Sequence, residues 1–485
     1  MPLQPDTSPP ILLGKDALNE GIPPTGGPAA AGYLLPTMLN RHGLICGATG
    51  TGKTVTLRYL VEQLSARGIA TLVTDLKGDL SGLAAAGGGS DKVRARLPQF
   101  GLDESYFRAF PLTLWGRGGL PMRATPSELG PELIGRMLQL NDNQQGLMQL
   151  LFRIADQQGL LLLDWKDLLA LIDHADQNRK TLLAEFGTIS PASLGAIKRK
   201  YLALESQGAD TLFGEPALDL TDLIAGNNIH LLDASDMQPA VYGILLLWLL
   251  AELYENLQEV GDRELRLVLF FDEAHLLFDD LPKNLCKEVE QIVKLIRSRG
   301  VGIFFVTQNP LDIPEDILAQ LGNRVQHALR AYTPSEQRAV RAAANSFRAN
   351  PGIDTATAIG ELGVGEALVS CLDENGVPQP VSRLLIHPPA SRLAPLDDSE
   401  RHALLKNDPL KGKYSQKLDR DSAYEQLQQR RAQAPAPAEP AHRPTAKRKP
   451  GALEKSFDKM ATSFGRQIGR ELMRGIMGAL SDRKR

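Results

Sequence analysis

The segment Gly47–Thr54, with the sequence GATGTGKT, constrains the fold of this chain more than any other stretch. A short apolar run, HGLIC at 42–46, comes before it, and a helical pattern over Thr54–Arg67 follows it. The glycines permit a tight turn in which successive backbone N–H groups point inwards, and the following helix adds the positive end of its dipole. The segment therefore predicts a strand, an anion-binding turn and a helix, in that order.

The spacing matches the phosphate-binding loop pattern GxxxxGK(S/T), in which the last two residues have separate chemical tasks. We expect Lys53 to reach the β- and γ-phosphates of ATP as a catalytic residue, and the Thr54 hydroxyl to bind Mg²⁺. A chance glycine-rich loop is the alternative, but four fixed positions and both flanking patterns agree with the motif. ATP and Mg²⁺ are thus the predicted cofactors. The residues predicted to bind the nucleotide are Gly47, Ala48, Thr49, Gly50, Thr51, Gly52, Lys53 and Thr54.

A second motif, LVLFFDE at 267–273, is an apolar run that ends in two acids, which is the Walker B pattern. Asp272, at the end of the predicted strand, would hold Mg²⁺ through water, and Glu273 would polarise the attacking water as a catalytic residue. A buried strand that ends in a solvated acid pair is the alternative, and the phosphate-binding loop on the same chain argues against it. Glu273 matters because a hydrolysing ATPase needs a water activator, whereas a small-molecule kinase does not.

Polar and basic residues near the next strands supply further catalytic candidates. Gln308 ends the apolar run after the Walker B motif, where a polar side chain can sense the γ-phosphate; a simple polar strand end is the alternative. An arginine finger must lie away from its own phosphate-binding loop so that it reaches a neighbouring subunit, which implies a ring. A surface ion pair is an equally good interpretation of each arginine. The arginines in suitable positions are Arg297, Arg299, Arg324 and Arg330.

The segment Asp75–Asp79, DLKGD, follows the second apolar run of the chain. At the carboxyl edge of a parallel sheet these residues would face the nucleotide crevice. A role for Lys77 or Asp79 near the γ-phosphate or the substrate is one interpretation, and a turn with a capped helix start is an equally good one.

Short apolar runs alternate with helical patterns along most of the chain, which is typical of βαβ units around a buried parallel sheet. The interval between Asp75 and Asn228 is too long for one crossover, and most of its patterns are helical. We therefore predict an α/β fold with a mostly parallel central sheet, a largely helical insertion between the second and third strands, and a C-terminal helical tail. The predicted strands are 42–46, 70–75, 228–233, 265–272, 302–308 and 325–331.

The charge distribution is asymmetric, although the net charge of the chain is only −3. Residues 441–485 carry 12 basic and four acidic side chains, which makes this part +8 and the remainder −11. A helical period over residues 452–480 places apolar residues on one face and basic residues on the other. Three interpretations of this amphipathic helix stay open: docking on its own oligomer or a partner, contact with DNA, and peripheral adsorption to an anionic membrane.

Cysteine usage and hydropathy exclude several classes of protein. The cysteines, Cys46, Cys286 and Cys371, lie far apart, which predicts neither a disulfide framework nor a zinc site. The most apolar stretch, Val241–Ala251, has 11 residues, fewer than the roughly 18 that a membrane span needs. The N-terminus lacks the pattern of a signal peptide. We therefore expect a cytoplasmic chain without a transmembrane segment.

Five motifs occur in the order that is found in one known superfamily. They are HGLICGATGTGKT, TDLKGDL, LFFDEAH, KLIRSRGVGIFFVTQNP and LGNRVQHALRA. Over about residues 35–400, the chain thereby resembles the HerA–FtsK superfamily of RecA-like pumping ATPases, and within it the bacterial HerA-like helicase family.

The resemblance implies a RecA-like (ASCE) P-loop NTPase fold with the strand order 51432, ATP hydrolysis, a homo-hexameric ring and movement of double-stranded DNA through its pore. It places Arg297 at the arginine-finger position and Gln308 at the sensor-glutamine position. A nuclease or another protein partner is a further implication, although the first 40 residues are too few for the N-terminal β-barrel of archaeal HerA.

The expected function is thus Mg²⁺-dependent ATP hydrolysis by a HerA-like motor that translocates or unwinds DNA. The alternative is an ATP-driven assembly or remodelling protein that acts on a protein partner. The predicted organisation comprises a Pro/Gly-rich segment at 1–40, a RecA-like ATPase domain at 41–395 with its helical insertion at about 85–225, a helical extension at 396–431, a Pro/Ala-rich linker at 432–450 and a basic amphipathic helix at 451–485.

Overall fold

The structure is a computed structural model and describes residues 9–17, 32–206, 208–226, 228–261, 264–278 and 283–433. The predicted basic helix at 451–485, and all of the predicted linker beyond residue 433, lie outside these described residues.

The chain alternates between strands and helices from β4 onwards. The strands are β1 (Ile11–Leu12), β2 (Gly14–Asp16), β3 (Tyr33–Leu34), β4 (Gly43–Cys46), β5 (Ala70–Asp75), β6 (Leu112–Gly116), β7 (Ile229–Asp233), β8 (Leu267–Phe271), β9 (Val301–Thr307), β10 (Asn323–Gln326), β11 (Glu366–Ser370) and β12 (Ser382–Ile386). The α-helices are α1 (Lys53–Ser65), α2 (Asp91–Arg94), α3 (Pro126–Met137), α4 (Asp142–Gln158), α5 (Trp165–Gln177), α6 (Arg179–Phe186), α7 (Pro191–Glu205), α8 (Leu220–Ile224), α9 (Pro239–Asn256), α10 (His275–Phe278), α11 (Lys283–Leu295), α12 (Glu315–Leu318), α13 (Pro334–Asn345), α14 (Thr355–Glu361), α15 (Asp398–Lys406), α16 (Lys411–Tyr414) and α17 (Ala423–Gln433).

Within the described residues, the central sheet has ten strands in the order β2-β12-β11-β10-β4-β9-β8-β5-β7-β6. The strands from β10 to β6 are parallel, and β11, β12 and β2 extend the sheet as antiparallel neighbours. The series β10-β4-β9-β8-β5 is the predicted order 51432, because β4 leads into the phosphate-binding loop and β8 into the Walker B acids. The predicted α/β, RecA-like fold is confirmed.

The parallel strands are buried on both faces, as their continuous apolar runs predict. Along β8, Leu267, Leu269 and Phe271 pack on one face of the sheet, while Val268 and Phe270 pack on the other. Helices α9 and α11 cover the first face, and α1 covers the second. The apolar stretch of α9 is therefore core, and no helix in the described part of the chain is long and apolar enough to cross a membrane.

The six predicted strands are present, and the same sheet contains four others among the described residues: β2, β6, β11 and β12. The interval predicted to be largely helical also contains β6, which pairs with β7 at one end of the sheet. Strands β11 and β12 were not predicted either. The last predicted strand, 325–331, is shorter than expected and ends at Gln326. After this strand, the His327 N–H donates to the Cys46 carbonyl at 2.7 Å, and the Ala328 carbonyl accepts from the Ala48 N–H of the phosphate-binding loop.

The described residues divide into two compact units. The first unit contains the central sheet and all the candidate site residues. It consists of the described residues up to Gln139, together with Leu162–Trp165 and Arg199–Arg420. The second contains α4, α6, α17 and most of α5. Inside the second unit, Asp167 of α5 accepts a hydrogen bond from the Tyr424 N–H at 2.8 Å. The predicted helical extension at 396–431 thus contributes to both units.

Candidate active site

The phosphate-binding loop runs from Gly47 to Gly52, between the end of β4 and the start of α1. The φ angles of Gly47, Gly50 and Gly52 are 154°, 77° and 125°, where a side chain would be strained. A Cβ at Gly47 would lie only 2.5 Å from the Cβ of His327. The loop therefore needs glycine at this position for its conformation and for its packing.

Backbone hydrogen bonds attach the loop to the sheet. The Ala48 N–H donates to the Ala328 carbonyl at 2.9 Å, just after β10. The Thr51 carbonyl accepts from the Gly365 N–H at 2.9 Å, just before β11. The order of the strands thus determines where the loop lies.

Lys53 is the first residue of α1, and only 7 % of its surface is exposed. Its Nζ donates to the carbonyls of Gly47 at 2.5 Å and Ala48 at 3.1 Å. Burial lowers the pKa of Lys53, and the positive charge of Lys77 lowers it further. The ammonium group lies inside the loop, where phosphate oxygens can replace the two carbonyl acceptors. Thr54 follows it on α1 and is half-buried.

The Walker B acids follow β8 directly, and both are buried. Burial raises the pKa of Asp272 to about 7; Lys77 opposes this shift, while the charges of Glu273 and Asp75 add to it. The Tyr242 hydroxyl donates to the Asp272 carbonyl at 2.7 Å and so holds the end of β8 in place. A bound cation would favour the ionised form of this carboxyl group.

The side chains around Asp272 suit Mg²⁺ rather than a metal enclosed by protein ligands. Mg²⁺ usually keeps several waters and takes one or two carboxylates together with phosphate oxygens. Among the residues that the structure describes, no group of three or more His, Cys, Asp or Glu side chains could hold a metal ion. One carboxylate at Asp272 and one hydroxyl at Thr54 therefore fit a cation that is bound largely by the nucleotide.

Glu273 lies at the centre of a chain of polar contacts. Its φ is +48°, an uncommon value for a residue with a side chain. Its Oε1 lies 2.5 Å from the Lys77 Nζ and 3.4 Å from the Gln308 Nε2. Its Oε2 lies 3.4 Å from the His275 Nδ1, which is long for a hydrogen bond. Burial opposes the ionisation of Glu273, but the contacts with Lys77, His275 and Gln308 together outweigh burial and lower its pKa.

Gln308 follows β9 and joins the Walker B acids to the phosphate-binding loop. Its Oε1 accepts a hydrogen bond from the Thr49 hydroxyl at 3.2 Å, while its Nε2 faces Glu273. The structure thus brings together the candidate residues of three separate motifs, although Thr49 and Gln308 are 259 positions apart in the chain.

The DLKGD segment forms a capped turn that also brings Lys77 into the site. Asp75 Oδ1 accepts from the N–H groups of Lys77 at 3.1 Å and Gly78 at 2.7 Å. Its Oδ2 accepts from the Leu80 N–H at 2.8 Å. Burial raises the pKa of Asp75 to about 6. The capped turn is therefore present, with Asp75 fixing it, and the Lys77 side chain extends to Glu273. A role for Lys77 or Asp79 near the γ-phosphate stays a prediction.

Arg297 lies apart from the other candidates. It belongs to a 3₁₀ turn, Ile296–Arg299, that precedes β9, whereas the phosphate-binding loop follows the carboxyl end of the parallel strand β4. The seven residues of β9 separate these edges of the sheet, a distance of about 20 Å at roughly 3.3 Å per residue. Arg297 therefore does not reach the loop of its own chain.

The other candidate arginines have local contacts. Arg324 donates to two backbone carbonyls at the end of α12. Arg299 lies over the ring of Tyr254, 4.9 Å from its centre. Arg330 follows β10 and is exposed. A structural role is the simplest account of Arg324 and Arg299.

His327 packs against Gly47 of the phosphate-binding loop. The sequence motifs did not identify it as a site residue. The side chain is fully buried. Its Nδ1 lies 2.9 Å from the Glu366 carbonyl and its Nε2 lies 2.8 Å from the Thr56 hydroxyl. The carbonyl can only accept, so Nδ1 carries the proton and Nε2 accepts from Thr56. Burial lowers the pKa of His327 to about 4 and keeps the ring neutral.

The fold and this site define the class of protein: a P-loop ATPase with a RecA-like core. The loop, the Walker B acids and the strand order agree on this class. The chain belongs to the HerA-like family, because the family profile described as "Helicase HerA-like C-terminal" matches residues 25–462.

A known HerA protein is similar to this chain in sequence, at low identity. The chain is 21 % identical over 359 residues to the DNA double-strand break repair helicase HerA of Sulfolobus acidocaldarius. The match covers 68 % of this chain and 62 % of that helicase, so the chain spans less than two thirds of the relative's length.

Solved structures of the plasmid coupling protein TrwB share the fold. The complex of TrwB with ADP and Mg²⁺ has a TM-score of 0.52 and 14 % identity, over 82 % of this chain and 99 % of TrwB. Its complex with a non-hydrolysable ATP analogue has the same TM-score and identity, over 80 % and 98 % of the two chains. At this identity, the likeness establishes the fold alone.

Proposed function

We propose that the chain binds ATP through Gly47–Thr54 and hydrolyses it with Mg²⁺. Lys53 leaves the loop carbonyls for the β- and γ-phosphate oxygens, and Thr54 and Asp272 hold the cation. Mg²⁺, when bound, neutralises charge on the phosphate oxygens. Glu273 polarises the attacking water, and Gln308 helps to place that water.

The observation that carries this proposal is the position of Glu273. The side chain of Glu273 is only 8 % exposed, follows the metal-binding candidate Asp272 directly, and connects through Gln308 to Thr49 of the loop. Its pKa is lowered because the contacts with Lys77, His275 and Gln308 together outweigh burial, so the side chain is ionised at neutral pH. An ionised acid beside the nucleotide loop is the group that water activation requires.

We also propose that the subunits form a homo-hexameric ring and that Arg297 acts in the active site of a neighbouring subunit. This role is supported by its position at the edge of the sheet opposite its own phosphate-binding loop. An arginine in that position serves catalysis only if a second subunit brings its nucleotide to it.

Double-stranded DNA is the proposed substrate of the motor. The related protein from Sulfolobus acidocaldarius is a DNA double-strand break repair helicase, and TrwB is described as a conjugative coupling protein. The basic residues of 441–485, which lie outside the described part of the chain, add a second source of attraction for a polyanion.

The test is an ATPase assay on the purified full chain, with and without linear duplex DNA at low salt. We expect Mg²⁺-dependent hydrolysis that duplex DNA accelerates. Lys53→Ala should abolish turnover, and retained turnover would contradict the assignment of the phosphate-binding loop. A rate that duplex DNA leaves unchanged would contradict the motor and favour remodelling of a protein partner.

A chain that ends at Pro440 tests the basic tail separately. We expect weaker DNA binding and a shallower dependence of affinity on salt, because fewer phosphate contacts release fewer counterions. The matched comparison is the full chain at the same salt concentrations. Equal salt slopes for both chains would assign the DNA contacts to the ATPase domain alone.

A further inference from the structure

Lys77 and Glu273 form an ion pair in the centre of the candidate active site. The Lys77 Nζ lies 2.5 Å from the Glu273 Oε1. The side chain of Lys77 is 43 % exposed, whereas that of Glu273 is only 8 % exposed. The lysine therefore enters from the solvent side and is the partner with more freedom to move.

Only the side chain of Lys77 has this freedom. The backbone N–H groups of Lys77, Gly78 and Leu80 all donate to the buried carboxylate of Asp75, which holds the turn rigid. The ammonium group stands on a flexible four-carbon stem above this turn. A change of partner can thus occur without a change in the fold.

The site also holds a second ammonium group that Lys77 repels. Lys53 and Lys77 repel each other, while Glu273 and Asp272 attract both ammonium groups and Asp79 also attracts that of Lys77. Lys53 occupies the phosphate-binding loop, where its ammonium group donates to the backbone carbonyls of Gly47 and Ala48. A terminal phosphate bound at Lys53 would place additional negative charge within the field of Lys77.

We propose that Lys77 is a γ-phosphate sensor. Lys77 pairs with Glu273 in this structure; when ATP binds, its ammonium group exchanges this partner for a γ-phosphate oxygen and releases Glu273 Oε1 for the attacking water. ADP has no γ-phosphate, so Lys77 stays on Glu273 when ADP is bound. This inference rests on the proposed hydrolysis of ATP at the same site.

The first test compares the binding of ADP and of a non-hydrolysable ATP analogue, each with Mg²⁺, by titration calorimetry on the full chain. Lys77→Ala should weaken the binding of the ATP analogue by about tenfold, the effect of one lost charged hydrogen bond. It should leave the affinity for ADP unchanged. Equal weakening of both nucleotides, or no weakening of either, would contradict the sensor. Unchanged ADP binding also shows that the variant is folded.

A matched control is available in the second unit of the chain. Lys198 forms an ion pair with Asp173 at 2.6 Å, and its side chain is 40 % exposed, close to the value for Lys77. Lys198→Ala should change the binding of neither nucleotide. A comparable loss of analogue binding in this variant would assign the effect to net charge instead of to the position of Lys77.

The second test asks whether Glu273 competes with ATP for Lys77. Glu273→Gln should tighten binding of the ATP analogue, partly because it frees Lys77, and this gain should shrink in the double variant with Lys77→Ala. An equal gain with and without Lys77 would contradict the exchange of partners.

These binding measurements do not depend on turnover. A wild-type chain that binds the analogue but does not hydrolyse ATP would contradict the proposed function. A wild-type chain that hydrolyses ATP, but whose preference for the analogue over ADP does not depend on Lys77, would contradict the sensor alone.

Discussion

The Oε2 atom of Glu62 accepts a hydrogen bond from the Ala390 N–H at 2.7 Å, although these residues lie 328 positions apart. The Oε1 atom accepts from the Ser391 N–H at 2.9 Å and from its hydroxyl at 2.5 Å. Glu62 lies in α1, the helix that begins with Lys53. The helix behind the phosphate-binding loop is therefore tied to the segment that leaves the sheet after β12.

Loss of this connection should destabilise the fold. Glu62 is fully buried, so Glu62→Ala leaves three donors without their acceptor, and we expect a loss of about 2–5 kcal/mol in the free energy of unfolding. Denaturant unfolding measures the change. The control is Glu255→Ala, at an exposed position of α9, for which we expect a change within about 0.5 kcal/mol. Similar values for both variants would contradict a specific role for Glu62.

Buried histidines should make the stability fall in mildly acidic solution. Burial lowers the pKa of His42, His230 and His327 to about 4 each, below the roughly 6.5 of an unfolded chain. As the pH falls below that value, the unfolded chain binds protons first. The stability from each neutral ring is thus fully present above about pH 6.5 and is lost between there and pH 4.

This effect can be measured with one substitution. His327→Gln should reduce the difference in unfolding free energy between pH 7.5 and pH 5 by about 2 kcal/mol, at roughly 1.4 kcal/mol for each pH unit. The matched control is His402→Gln, at an exposed position of α15, which should leave that difference unchanged. A wild-type stability that does not vary over this range would refute the prediction.

Glu273→Gln should separate ATP binding from hydrolysis. The amide cannot accept the proton of the attacking water, so we expect the single-turnover rate to fall by about 100-fold or more. The phosphate-binding loop is untouched, and ATP binding should be retained. Glu361→Gln, at an exposed position of α14, is the control and should keep the wild-type rate. A wild-type rate in Glu273→Gln would move the role of water activator to another residue.

If each active site is shared between two subunits, two inactive variants should complement each other in mixed rings. Arg297→Ala and Glu273→Gln should each be nearly inactive alone, but a mixture should regain some hydrolysis. The reason is that an interface between two different subunits can combine an intact Arg297 with an intact Glu273. Native mass spectrometry identifies the mixed rings. Proven mixed rings without any gain in rate would count against an intersubunit role for Arg297.

The phosphate-binding loop could be predicted residue by residue. Its glycines, its lysine and its helix start follow from local backbone geometry, which a short pattern encodes. The six predicted strands were recognised for a related reason, because strands buried on both faces must be apolar throughout. Strands β6, β11 and β12 lack such a distinctive run, and their pairing partners across the sheet define them.

Local sequence was thus sufficient for the class of fold, for the turn and helix start at 47–54, and for the place of Asp272 and Glu273 directly after a buried strand. Each of these features depends on neighbouring residues or on a repeated pattern of burial, whereas the roles of these residues with nucleotide and metal stay predictions. The tertiary structure alone decided that Lys77 meets Glu273, that His327 packs against Gly47, and that the turn of Arg297 lies at the edge of the sheet opposite its own loop. These relationships depend on the order of the strands in the sheet. That order comes from packing between distant segments, and no local pattern records which side chains will then share one edge.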